Sequence, residues 1–92
     1  MRQESAQTLA LQALAFLAGQ EAAFGAFLAA TGTSAATIRA RADDPDLLAS
    51  VLDCVLSEDN LVLAFAREAG VPPEDVARAR AVLAGGEVPN WT

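Results

Sequence analysis

Histidine, lysine and tyrosine are missing from this chain of 92 residues, and cysteine occurs once, as Cys54. Each gap removes a class of chemistry. Without a Cys/His set no zinc cluster can be assembled within one chain, and a single thiol closes no disulfide. Activating Cys54 as a nucleophile would take a neighbouring imidazole or ammonium, and the chain holds neither type. It reads as a small buried hydrophobe at the edge of an apolar helix face. Carboxylates remain, but no pair among the twelve acids stands out as a catalytic couple. The expectation is a protein that is not an enzyme and takes no cofactor or metal. The solitary thiol suits a reducing, cytoplasmic setting.

Bulky side chains are scarce as well. Apolar residues make up 53% of the chain but aromatics only 5%, and alanine dominates the rest. An interior of that kind is filled by closely spaced helices. Val, Ile, Thr and Phe never alternate with polar residues over a usable run, so strands are not expected. Long apolar runs are lacking too. Met1 and Arg2 followed by LALQALAFLAG have the outline of a secretion signal, but Glu4 offsets Arg2 and Gln12 interrupts a stretch too short to span a bilayer.

All six basic residues are arginines, set against twelve acids for a net charge of -6. Before Asp43, three arginines face two glutamates, a sum of +1. From Asp43 onward, three arginines face ten acids, a sum of -7. An acidic half repels phosphate backbones and anionic membranes and favours a basic partner.

The chain repeats itself. Shifted by 38 positions, Thr8 falls on Asp46, Leu9 on Leu47, Leu14 on Leu52, Leu17 on Val55, Phe27 on Phe65, Gly32 on Gly70 and Ile38 on Val76. Each half reads as three helices. In the first, Ser5 is the expected cap of a helix to about Ala18, a second runs from Gln20 to Thr31 with Gly32 behind it, and Ser34 caps a third to about Ala42. In the second, Asp43-Asp44-Pro45-Asp46 opens a helix with a capping carboxylate and a first-turn proline, which accounts for these acids better than a cation site does. Ser57 is the expected start of the next helix, which ends at Gly70, and Pro72-Pro73 begins the last.

The sharpest motif is Ala66-Arg67-Glu68-Ala69-Gly70-Val71 followed by Val76, which resembles the turn of bacterial helix-turn-helix repressors. In such domains the start of the recognition helix meets bases and phosphate. That position holds Pro73, Glu74 and Asp75, and Arg78 and Arg80 point about 200° apart on a helix, so no basic stripe forms. Trp91, the only tryptophan, is either an anchor for a partner or a lid folded over the alanine-rich core.

The opening QESAQTLALQALAFLAG, the central ADDPDLLASVLDCVLSEDNLVLAFAREAGVPPEDVARARAVL and the closing GG-x-x-P-x-W together resemble a family of small bacterial proteins known as domain of unknown function 3572. The resemblance implies an all-helical, stand-alone cytoplasmic protein. It brings no activity, so no site residues carry over.

The sequence therefore predicts an all-α, compact bundle of about six short helices, formed by two pseudo-repeated three-helix halves at about 1–42 and 43–86 within one domain of residues 1–86, and a short tail at 87–92. The expected role is a small acidic module that binds another protein or a second copy of itself. Trp91, Arg78 and Arg80 are the candidate partner-binding residues. Nucleic acid and membrane are not expected partners. The alternative is a DNA-associated regulator using the hairpin at 61–84, and a third reading is a helical pocket for an apolar ligand.

Overall fold

Local capping chemistry sets four of the helix ends. The computed structural model describes residues 1–85, and its elements are α1 (Gln3–Ala18), α2 (Glu21–Thr31), α3 (Ala35–Ala40), α4 (Pro45–Leu56), α5 (Asp59–Ala69) and α6 (Pro73–Gly85). No strand occurs among the described residues. Ser34 Oγ accepts the Thr37 N–H at 3.2 Å, which starts α3. The Asp44 carboxylate accepts the Asp46 N–H at 2.9 Å, and Pro45 occupies the first turn of α4, where its missing N–H costs nothing. Gly32 and Gly70 close α2 and α5 with φ of 66° and 72°, a region that glycine enters without a Cβ penalty. In both turns the next residue reaches back: Thr33 N–H donates to Leu28 O at 3.1 Å and Val71 N–H to Ala66 O at 3.0 Å. These are the paired closing bonds of a helix that must stop and reverse.

Two expected caps are elsewhere. α1 begins at Gln3, with Ala6 N–H bonded to Arg2 O at 2.9 Å, so Ser5 lies inside the first turn and caps nothing. Ser57 belongs to the end of α4, where its hydroxyl donates to Cys54 O at 2.6 Å, and α5 starts behind Glu58. The third helix also stops early, at Ala40, because Arg41, Asp43 and the Asp44 cap form the turn into α4.

α1, α4 and α6 pack most closely on one another and form the centre of the bundle. α1 contributes Ala6, Leu9, Ala10, Ala13 and Leu17, α4 contributes Leu48, Val51, Leu52 and Val55, and α6 contributes Val76, Ala79, Val82 and Leu83. Alanines at 6, 10, 13 and 79 are fully buried, so the backbones approach without bulky side chains between them. Removing one such Leu or Val from water stabilises the fold by about 1.5–3 kcal/mol before entropy is counted. α5 touches α1, α4 and α6 and inserts Phe65, whose ring sits 5.5 Å from that of Phe16 at 49°, within the range of favourable tilted aromatic pairs. Phe27 is buried beside Phe24, with ring centroids 6.4 Å apart. Phe27 and Phe65 thus each take a ring partner from the first half of the chain.

The central trio draws one helix from the first half and two from the second. α3 sends only Ile38 into the core, whereas α6 sends four side chains. The radius of gyration is 12.5 Å, close to the ~12 Å expected of a compact chain this long. Among the described residues no single helix is long and apolar enough to cross a membrane.

Candidate functional site

Of the three residues singled out by the sequence, two are tied to their own fold. Arg80 makes a two-pronged contact with Asp53 on α4, Nε to Oδ1 at 2.6 Å and Nη2 to Oδ2 at 2.9 Å. That fork clamps α6 onto α4, and the Asp53 hydrogen bond holds the guanidinium still more firmly charged. Arg78 reaches back to Asp75 at 3.0 Å on the exposed side of α6. The two guanidiniums serve different carboxylates and form no common surface. Trp91 lies outside the described residues.

The α5–α6 hairpin has its left-handed glycine, but the first turn of α6 presents Glu74 and Asp75. Arg41 is paired with Asp44, and together with the Asp46 amide it holds the Asp44 carboxyl below the usual carboxylate range. No three Asp, Glu or Cys side chains among the described residues gather as metal ligands would. Cys54 is half-buried, and burial, followed by the charge of Glu58, pushes its thiol pKa up. A thiol so placed is a poor nucleophile at neutral pH. Thr33 Oγ1 is buried without a protein partner at the wall of a cavity of about 170 Å³, lined also by Thr31, Thr37, Arg41 and Ser50.

Sequence reasoning placed α2, from Gln20 to Thr31, but not its open side. Its stripe of Phe24, Phe27, Leu28 and Thr31 reads as an inward face, yet Phe27 is its only buried residue. Phe24 and Leu28 are half-covered, and Thr31 is exposed with its hydroxyl donating to Phe27 O at 2.8 Å. The opposite side holds Ala22, Gly25, Ala26, Ala29 and Ala30, all exposed. Between Glu21 and Thr31 the helix has no polar residue at all, and that was the available signal: a helix apolar on every side is ordinarily buried on every side. Here it has neighbours on one side only. Beside it run two grooves of about 410 and 300 Å³, the first against Ser50, Asp53, Cys54 and Ser57, the second against Glu21 and Glu58.

A family model described as "Protein of unknown function (DUF3572)" matches residues 3–86, which takes in all six helices. The chain belongs to this family. The DUF3572 match ends before Trp91, so that residue stands outside the matched segment as well as outside the described residues. No curated protein and no solved structure matches the chain. Membership of DUF3572 carries no activity with it, and the reading of function rests on the surface of the bundle.

Proposed function

We propose that this DUF3572 protein is a non-catalytic, cytoplasmic protein-interaction module whose docking element is α2. The observation behind the reading is the apolar helix left open on one side: Ala22, Gly25, Ala26 and Ala29 are all exposed on a helix whose only charge is Glu21. Small side chains on an exposed helix face favour a partner that packs closely, and an alanine face gains little from staying in water. Cys54, which lines the groove beside α2, has its thiol pKa pushed up by burial and is a poor nucleophile at neutral pH. The DNA-associated reading gains nothing from Arg80, whose guanidinium is taken by Asp53. The parallel helix ends, with left-handed Gly32 and Gly70 38 positions apart, support an origin of the bundle in two copies of one three-helix unit, of which the second kept the core-forming last helix.

The test is in-cell cross-linking followed by nuclease treatment, comparing the natural chain with an Ala22→Arg/Ala29→Arg variant. Both positions are exposed, so the helical circular dichroism should be unchanged while a discrete cross-linked protein disappears. Identical cross-links in both chains, or cross-links that depend on nucleic acid, would remove α2 as the docking element.

A further inference from the structure

The groove beside α2 says what kind of partner it fits, an inference that rests on the interaction reading above. The two cavities share Ala26 as a lining residue and so continue one another along the helix. Their floor is Ala22, Ala23, Ala26, Phe27 and Ala30. Three carboxylates stand at the edges: Glu21 and Glu58 beside the first turns of α2, and Asp53 further along. Asp53 is answered by Arg80, but Glu21 and Glu58 have no cationic partner among the described residues. The floor is apolar and the rim carries uncompensated negative charge.

We infer that this groove takes a basic amphipathic helix from a partner protein, its small apolar face laid along the alanines and its Lys or Arg side chains directed at Glu21 and Glu58. The dimensions suit a helix. The 11 residues of α2 make about three turns and roughly 16 Å of length, and an alanine floor admits a second helix axis at about 8 Å, the close end of ordinary helix packing. The charge selects the partner. Carboxylates at a groove edge speed and orient a basic segment and penalise an acidic one. A second copy of this chain is the wrong sign: each copy carries -6, and no described helix of eight or more residues has net positive charge. The -7 carried from Asp43 onward extends the same preference beyond the rim.

A synthetic peptide of about 15 residues, with Leu and Ala at helical spacing on one face and Lys flanking them, is the probe, and the same peptide with every Lys replaced by Gln is its control. Titrated into the isotope-labelled full chain, the Lys peptide should shift the amide resonances of Ala22, Ala26, Ala30, Ser50 and Cys54. Its affinity should fall on adding salt, and by roughly fourfold in Glu21→Gln/Glu58→Gln. The Ala26→Arg variant, exposed and therefore still folded, should lose the peptide altogether. Equal binding of the Gln control, shifts that map away from the groove, or sedimentation showing the groove closed by a second copy would each overturn the basic-helix assignment. If the Gln control binds and Ala26→Arg abolishes it, the rim charges are irrelevant while α2 remains the docking element. If neither peptide touches the groove, the inference falls and the interaction reading is judged by its cross-links alone.

Discussion

Replacing Gly25 by alanine should stabilise the protein, and replacing Gly32 or Gly70 by alanine should destabilise it, although all three are glycines with open space around them. A Cβ built at any of the three meets no atom within 4 Å, so packing contributes nothing and the backbone decides. Gly25 sits inside α2, where alanine is preferred by about 0.5–1 kcal/mol. Gly32 and Gly70 have φ of 66° and 72°, where a Cβ brings ~1–2 kcal/mol of strain. A stiffer unfolded chain returns ~0.4–1 kcal/mol of that, leaving a net loss of about 1 kcal/mol at each turn. For a chain this short, one kcal/mol moves the melting temperature by about 4–8 °C. Urea unfolding followed by circular dichroism should place Gly25→Ala above the natural protein, and Gly32→Ala and Gly70→Ala below it by similar amounts. A destabilising Gly25→Ala would mean that the outer face of α2 is covered and that the docking argument starts from a false surface. A difference above ~1 kcal/mol between the two turn variants would mean that packing, not φ, sets their cost.

Two electrostatic predictions follow from named pairs. Asp53→Asn and Arg80→Ala should each cost a few tenths to about 1 kcal/mol, and a double-mutant cycle should show coupling that shrinks as salt is added, because the fork is partly exposed; additive costs would mean that the fork holds nothing. The Asp44 carboxyl is lowered in the folded state by Arg41 first and the Asp46 amide second, so its contribution is present at neutral pH and is lost as pH falls through the folded value. The stability gap between the natural protein and Asp44→Asn should therefore close in acid, read from unfolding curves at stepped pH, and a gap unchanged down to the strongly acidic end would refute the linkage.

How much of this was legible beforehand depends on how local the physics is. Ser34, Asp44 with Pro45, Gly32 and Gly70 act on the turn they occupy, and their residue types announce it. Ser5 and Ser57 have the same type without the role. A serine hydroxyl near a helix end is equally content to donate back to a carbonyl, as Ser57 does to Cys54, and only the path of the chain decides which. The ion pair of Arg80 was not legible, because its carboxylate stands 27 residues away in sequence. The open side of α2 was the larger miss. Periodicity finds a helix's most apolar side, but α2 is apolar on all sides, and which side is covered depends on where α1, α3 and α4 run. Similar local patterns in α3 and α6 likewise led to different depths of burial, because α6 continues for seven residues beyond the point that corresponds to the end of α3, 78 + 7 = 85.

The central trio also sets a timetable. α1 is made first, yet the helices that cover its apolar face are α4 and α6, and α6 begins 55 residues after α1 ends, 73 − 18 = 55. At about 5–20 residues per second, the nascent chain carries Leu9, Phe16 and Leu17 for roughly 3–11 s before their last neighbour is even synthesised. Three of the six buried residues of the early helix are alanines, Ala6, Ala10 and Ala13, which keeps that waiting surface thin. A chain that stops before Pro73 therefore leaves open the faces of α1 and α4 that α6 covers.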